Sequence, residues 1–238
     1  MIYCIGNSHV GIFSGTDLLS PVWPKKLPDR LPWFKTININ APTAYHAMKH
    51  IETVKRVLGE ISSFNKQNDT VLLVFGEVDM RMHVYIQVAR QKRSMEDIVN
   101  EIADRYLTAV SVLLKEKFNI ALYGCIASWI WSDDGENRTM YGTTKQRNAA
   151  TRLFNMRLIN FCKEHKLPYI SIFEEMLLDD DETDIRYMDT NFMGDGNGLH
   201  ATTKMLSLLL WKCRDIGLIP FDAAFFPFEA GNYFLKGG

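Results

Sequence analysis

The chain has 238 residues, of which 47% are hydrophobic, and its 27 basic side chains nearly balance 28 acidic ones. This length suits one large domain or two small ones, and we expect a single domain over residues 1–238. The near-zero net charge gives no electrostatic reason to bind nucleic acid or an anionic membrane surface. No run of about twenty apolar residues occurs, so we expect no membrane span.

The cysteine pattern favours an intracellular protein. The four cysteines lie in apolar segments and form no Cys-x-x-Cys pair, which is typical of buried free thiols in a reducing compartment. Met1 already belongs to the first predicted strand, so the pattern shows no signal peptide. We therefore expect a cytoplasmic location.

The first predicted strand begins at Met1 and stops at Gly6, and Ser8 and His9 follow where a strand hands over to a helix. In an open α/β sheet, ligands bind outside the carboxyl ends of the strands. A serine at this point presents its hydroxyl and its N–H to that space, so Ser8 is a candidate nucleophile. The alternative is that Ser8 caps the following helix, because serine is a preferred N-cap residue.

A loop and a second strand come next. Residues 17–33 are rich in proline and tryptophan, which predicts a loop that can form one wall of a cleft beside Ser8. Alternating apolar and polar residues predict a strand over residues 34–39, with Ala41 just beyond it. Apolar residues at helical spacing predict a helix from about Ala44 to Phe64.

An apolar run over residues 70–75 predicts a buried central parallel strand. Charged and polar residues follow at its carboxyl end, namely Gly76, Glu77, Asp79, Arg81 and His83. Together with His9 they raise the possibility of a metal site, but their spacing fits no standard zinc pattern, and we expect neither a metal nor another cofactor. An ion pair between Arg81 and Glu77 or Asp79 is the structural alternative to a role in a site.

The second half continues the alternation of helices and strands. Ser94 and Thr143 each begin a predicted helix, the first of which runs to about Lys117. Strands are expected over residues 119–126 and 169–173, and a last helix from Ala201 to Cys213. This alternation predicts a three-layer α/β/α sandwich with a flavodoxin-like, mainly parallel five-stranded sheet.

Two aromatic segments stand out. Trp129 and Trp131 lie in a long predicted loop over residues 127–142, where they either pack into the core or form a sugar-stacking wall. The tail, residues 221–238, is rich in phenylalanine and tyrosine. We expect it to pack on the domain or on a second subunit, which would make the protein a homo-oligomer.

Two short motifs near the ends of the chain resemble those of the SGNH (GDSL-like) hydrolase family. Residues 6–8, Gly-Asn-Ser, stand for the family's Gly-Asp-Ser, and residues 197–200, Asn-Gly-Leu-His, stand for its Asp-x-x-His. The resemblance implies that Ser8 is the nucleophile and His200 the general base. The third member stays open, because Asn197 has the family's spacing while Asp195 has the charge.

The resemblance also implies an oxyanion hole made by the N–H groups of Ser8 and Ala41 and by a third donor. The family's third block, Gly-x-Asn-Asp, appears here with Val78 in place of the asparagine, and valine cannot donate. The string Gly-Glu-Val-Asp-x-Arg is similar to a variant in one branch of the family, many of whose members are associated with surface-polysaccharide synthesis. In that branch Arg81 supplies the missing donor.

Other candidate residues come with the same branch. The remaining candidate oxyanion or substrate-binding residues are Gly76, Glu77, Asp79 and His9. Arg147, Asn148 and Thr151 are similar to the start of the corresponding helix in that branch, and a solvated helix face is the alternative for them.

The expected function is a serine esterase or deacylase acting on an acyl ester, such as acetyl, of a small molecule or saccharide. An acyltransferase that uses the same Ser–His pair with a sugar hydroxyl as acceptor is the first alternative. A non-catalytic binding domain is the second, favoured by the departures from the family at Asn7, Ala41, Val78 and Asn197.

Overall fold

The computed structural model describes residues 1–26, 28–129, 142–188 and 200–220. Its sheet has five parallel strands in the order β2-β1-β3-β4-β5. The strands are β1 (Ile2–Gly6), β2 (Phe34–Asn38), β3 (Thr70–Val74), β4 (Asn119–Tyr123) and β5 (Tyr169–Ile170). This order is the flavodoxin-like one, so the predicted sheet is confirmed.

Helices cover both faces of the sheet. They are α1 (Ala47–Glu60), α2 (Val84–Gln91), α3 (Met95–Lys115), α4 (Thr144–His165) and α5 (Leu206–Asp215). Side chains of α1, α3 and α4 share one core cluster with one face of the sheet. Side chains of α5 and of a 3₁₀ helix, Ser8–Ser14, share a second cluster with the other face. The predicted three-layer sandwich is therefore confirmed.

The division of the core follows the alternation of side chains along each strand. Tyr3 and Ile5 belong to the first cluster, whereas Ile2 and Cys4 belong to the second. Successive strand side chains point to opposite faces, so a strand covered on both sides is apolar throughout. All four cysteines are buried free thiols, as the sequence predicted.

The last two strands are shorter than predicted. β4 ends at Tyr123 because, at Cys125, the side-chain amide of Asn155 replaces a neighbouring strand as the hydrogen-bond partner of the backbone. The Cys125 N–H donates to Asn155 Oδ1 at 2.8 Å, and Asn155 Nδ2 donates to the Cys125 carbonyl at 2.9 Å. β5 ends at Ile170, and the Phe173 N–H then bonds to Ser171 Oγ at 3.2 Å.

The predicted helix starts were partly right. Ser94 and Thr143 cap α3 and α4, and Thr143 forms a capping box with Gln146. α1 is shorter than the predicted span of 44–64 because the N–H groups of Ala44 and Tyr45 bond to a side chain instead of continuing a helix. A 3₁₀ turn, Thr203–Met205, precedes α5.

The helix after β3 was not predicted. A π-helix spans Asp79–His83 and leads directly into α2. Short π-helical segments of this kind occur frequently at functional sites.

The solvated-face interpretation of the start of α4 was wrong. Arg147, Asn148 and Thr151 are buried. Asn148 Oδ1 accepts from the Ser128 N–H at 2.9 Å, and Arg147 Nε donates to Ser128 Oγ at 3.1 Å. The polar face of α4 therefore points inward and holds the backbone that follows β4.

Two searches of the described parts of the chain gave negative findings. None of the helices there is long and apolar enough to cross a membrane. No group of three or more histidine, cysteine, aspartate or glutamate side chains in these ranges is arranged to hold a metal ion.

The two strands that carry the site approach closely at their carboxyl ends. Gly6 pairs with Val74, and a Cβ on Gly6 would collide with the Val74 carbonyl. The strand order reverses between β1 and β3, and ligands bind at such switch points. The segments after β1 and β3 therefore lie side by side.

Replacing Gly76 by alanine is expected to lower the free energy of unfolding by about 2–4 kcal/mol. Gly76 has φ 98°, and a Cβ there would lie 2.5 Å from Phe154 Cε1. Urea unfolding measures the effect. Gly59→Ala is the matched control, because a Cβ at Gly59 in α1 meets nothing within 4 Å. Equal stabilities of the two variants would show that the turn after β3 does not need glycine.

Candidate active site

Ser8 is the first residue of the 3₁₀ helix Ser8–Ser14 that follows β1. Asn7, not Ser8, caps this helix, because Asn7 Oδ1 accepts from the His9 N–H at 3.0 Å. The N-cap alternative for Ser8 is therefore wrong. At the first helical position the Ser8 N–H has no acceptor within the helix, which suits it to an oxyanion hole.

His200 meets Ser8 across the sheet edge. Ser8 Oγ and His200 Nε2 are 2.7 Å apart. The segment after His200 is fixed on two sides: the Thr202 N–H bonds to the Tyr187 carbonyl at 2.9 Å, and the Thr203 N–H bonds to Asp17 Oδ1 at 2.6 Å. The predicted approach of Ser8 and His200 is confirmed, and the two atoms are within hydrogen-bond reach.

A buried polar cluster lies against this pair. The rings of His9 and His200 are 4.5 Å apart between centroids. His9 Nε2 lies 3.6 Å from Glu77 Oε1, and Arg81 Nη1 lies 2.9 Å from the same oxygen. The ion pair of Arg81 with Glu77 is thus the one that forms. Among the described residues, Nε and Nη1 of Arg81 are buried without an aligned hydrogen-bond acceptor.

The electrostatics keep both histidines neutral. Burial, then the charge of Arg81, lowers the pKa of His200 to about 4. Burial, then His200 and Arg81, holds the pKa of His9 well below its usual value. Burial raises the pKa of Glu77, and Arg81 and Arg147 oppose that rise. A neutral His200 can accept the Ser8 proton over a wide pH range.

Esterase activity, if present, should persist well below pH 6.5. His200 acts as a base only when it is deprotonated, so kcat/KM should fall only as the pH approaches about 4. The pH dependence of p-nitrophenyl acetate hydrolysis tests this. A fall centred near pH 6.5 would contradict it and would indicate a carboxylate beside His200; Asp195→Asn would then shift the fall to lower pH.

Ala41 and Gly76, two further predicted site residues, lie in the segments that follow β2 and β3. Asn40, in the loop after β2, has a left-handed backbone conformation with φ 80°, and its N–H donates to Asn38 Oδ1. Ala41, the predicted second oxyanion donor, comes next and is exposed. Gly76 lies two residues after the end of β3, and its carbonyl accepts from the Met80 N–H at 2.9 Å.

Asp79 anchors the loop after β2. Its side chain is fully buried, with Oδ2 accepting from the Ala44 N–H at 2.6 Å and Oδ1 from the Tyr45 N–H at 3.3 Å. Burial raises the pKa of Asp79 to about 7 against these two bonds. The side chain thus ties the segment after β3 to the loop that carries Ala41.

Ionisation of Asp79 should make stability depend on pH. Because its folded pKa, about 7, exceeds the reference value of 3.8, stability from this group is complete in acid and is lost as pH rises through about 7. Between pH 4.5 and 8 the wild type should lose about 3 kcal/mol more than Asp79→Asn in urea unfolding. Asp179→Asn, at an exposed site, is the control. Identical losses in wild type and Asp79→Asn would contradict the assignment.

The space at Ser8 is small. A pocket of about 20 Å³ is lined by Ser8, His9 and His200 together with Asp17, Leu18 and Leu19. The predicted cleft wall is therefore confirmed for residues 17–19. Tyr123 and Ile126 also line the pocket, and the sequence did not point to them. Tyr123 ends β4, so its place at the sheet edge was the available signal for it.

Several predictions lie outside the described residues. They concern Asn197 and Asp195 as partners of His200, Trp131 as a sugar-stacking residue, and the tail over residues 221–238. Trp129 is described, and it packs against the second core cluster, as the core alternative predicted.

Comparison with known proteins identifies solved structures with a similar fold. No protein-family model matches the sequence, and no curated protein matches it significantly. Solved structures do match. A candidate acylhydrolase from Bacteroides fragilis NCTC 9343 has a TM-score of 0.56 at 13% identity, covering 90% of this chain and 87% of its own.

Two further structures give the same result. A GDSL-like lipase from Bacteroides thetaiotaomicron VPI-5482 has a TM-score of 0.53 at 16% identity, over 90% of this chain and 86% of its own. Phospholipase A1 from Streptomyces albidoflavus NA297 has a TM-score of 0.51 at 13% identity, over 90% and 97%. The chain therefore has the α/β fold found in GDSL-like lipases and acylhydrolases. The predicted resemblance to the SGNH (GDSL-like) family holds at the level of fold.

Proposed function

We propose that this protein is an SGNH-type serine esterase that removes a short acyl group, such as acetyl, from a carbohydrate ester. The observation that carries the proposal is the 2.7 Å contact between Ser8 Oγ and a neutral, largely buried His200 at the switch point of the sheet. In the proposed reaction, His200 takes the Ser8 proton as the oxygen attacks the acyl carbonyl, and returns it to the leaving alcohol. A water molecule, deprotonated by His200, then attacks the acyl–Ser8 ester, and the proton returns to Ser8 as the acid leaves.

The oxyanion would be held by the Ser8 N–H, the Ala41 N–H and Arg81. Support for Arg81 comes from its buried Nε, which has no hydrogen-bond acceptor among the described residues, whereas Nη1 pairs with Glu77. The positive charge of Arg81 also lowers the pKa of His200, which supports a role beside the Ser8–His200 pair. A cationic donor that is already in place stabilises a developing oxyanion without reorganisation.

The size of the acyl group is inferred from the Ser8 pocket. Its volume of about 20 Å³ and the apolar side chains of Leu18, Leu19 and Ile126 suit a methyl-sized group better than a long chain. The carbohydrate part of the proposal depends on the third-block string, residues 76–81, and on the branch that it resembles.

Acyl-chain preference and product analysis test the proposal. The protein should hydrolyse p-nitrophenyl acetate faster than p-nitrophenyl octanoate, and should release acetate from glucose pentaacetate and acetylated xylan. Faster turnover of octanoate would contradict the small acyl site, and acetate release from the nitrophenyl ester alone would contradict the carbohydrate substrate. Acetyl groups recovered on an added free sugar would indicate an acyltransferase. If no ester were turned over, the remaining interpretation of the protein would be a non-catalytic binding domain.

A further inference from the structure

A second, larger pocket lies away from Ser8. It has a volume of about 380 Å³ and is bounded by the loop after β2 and by α2 and α3. Small-molecule sites in proteins have volumes of about 300–1,000 Å³. None of its described lining residues is shared with the Ser8 pocket.

The π-helix Asp79–His83 contributes to the larger pocket and also carries Arg81. Asp79 and His83 line the larger pocket, whereas Arg81 pairs with Glu77 and acts on His200. Residues two apart on a helix do not face the same way, while residues four apart do. The π-helix therefore presents Asp79 and His83 to the larger pocket and Arg81, on another face, to Glu77.

The walls of the larger pocket differ in character. One is apolar and consists of Ile86, Ile98 and Ile102. The other carries carboxyl, imidazole and amide groups, from Asp79, His46, His83, Gln87 and Gln91. Such amides and neutral imidazoles both donate and accept hydrogen bonds.

The charged groups around the pocket are paired, weakly charged or exposed to solvent. The Asp79 carboxyl is fully buried and accepts two backbone N–H groups. Glu101 is paired with Arg93 at 2.6 Å and with Arg105 at 3.0 Å. Burial, then His46, lowers the pKa of His83. Arg90, the remaining charged residue of the lining, is exposed, so its charge stays hydrated. A charged ligand would therefore meet no buried, unpaired charge of opposite sign among the described lining residues, and burying an unmatched charge is costly.

We propose that this pocket binds a neutral polyhydroxylated ligand, a saccharide unit, independently of Ser8. Its apolar wall can pack on the C–H face of a sugar ring, while the amide and imidazole groups bond to the hydroxyls. Tyr45 contributes a fixed aromatic edge, because the Arg105 guanidinium lies 4.0 Å from its ring centroid.

Sugar binding to purified variants tests the inference. Saturation-transfer NMR titrations with methyl glucoside, methyl xyloside and N-acetylglucosamine should give saturable binding of at least one sugar to the wild type and equally to Ser8→Ala. Gln87→Leu and His83→Ala should each weaken that binding about tenfold. His165→Ala, on the exposed end of α4, is the control and should bind like the wild type.

Three results would overturn the proposal. They are no saturable binding of any of the three sugars, binding that Ser8→Ala abolishes but Gln87→Leu preserves, and competition by acetate or inorganic phosphate at the same site. Hydrolysis of p-nitrophenyl acetate by Gln87→Leu, measured in parallel, separates this inference from the esterase proposal. Activity without sugar binding removes only the former, and sugar binding without activity removes only the latter. Circular dichroism spectra identical to the wild type establish that both variants are folded.

Discussion

Ser8→Ala should lower kcat for p-nitrophenyl acetate roughly 10⁴- to 10⁶-fold, the range found when a serine hydrolase loses its nucleophile. The reason is that Ser8 Oγ lies 2.7 Å from His200 Nε2, and alanine has no hydroxyl to take its place. His200→Ala should cost about as much, because two groups that act as a unit are not additive. The double variant should therefore be hardly slower than either single one.

The matched control for this experiment is Ser62→Ala, since Ser62 is exposed in the segment after α1. Its kcat should equal that of the wild type. If Ser8→Ala kept more than a tenth of the wild-type rate, the contact with His200 would be structural and the nucleophile would lie elsewhere.

Arg81→Ala should lower kcat about 10²- to 10³-fold with little change in KM, the usual cost of removing one oxyanion donor. It should also raise the pKa of His200, since the positive charge of Arg81 is one cause of its low value. The acid fall of kcat/KM should therefore move to higher pH. Added methylguanidinium should restore part of the rate.

A purely structural role for Arg81 makes a different prediction. Its partner Glu77 is buried, so breaking the pair from either side should destabilise the fold. Glu77→Gln serves as the comparison. If Glu77→Gln and Arg81→Ala lowered stability and kcat to the same extent, with no methylguanidinium rescue, the oxyanion role would be wrong.

The sheet could be predicted from sequence because its strands are short apolar runs buried on both faces, as residues 70–74 illustrate. The meeting of Ser8 with His200 was predictable for a related reason. In a parallel sheet the residues after the strands gather at one edge, wherever they lie in the chain.

What the sequence did not reveal depends on contacts between distant segments. The inner face of α4 carries Arg147, Asn148 and Asn155, which looks solvated by periodicity alone. Asn148 and Asn155 bond to the backbone of Ser128 and Cys125 and therefore replace a strand partner, while Arg147 bonds to Ser128 Oγ. Asp17 similarly acquires its place beside His200 only through its bond to Thr203.

The buried charges beside Ser8 also bear on how a catalytic cycle would end. Arg81 pairs with the buried Glu77 carboxylate, and its positive charge also lowers the pKa of His200. Hydrolysis of an ester produces a carboxylate, and this product would be attracted by the same charge that stabilises the oxyanion. Under the proposed esterase function, free acetate is therefore expected to be a competitive inhibitor.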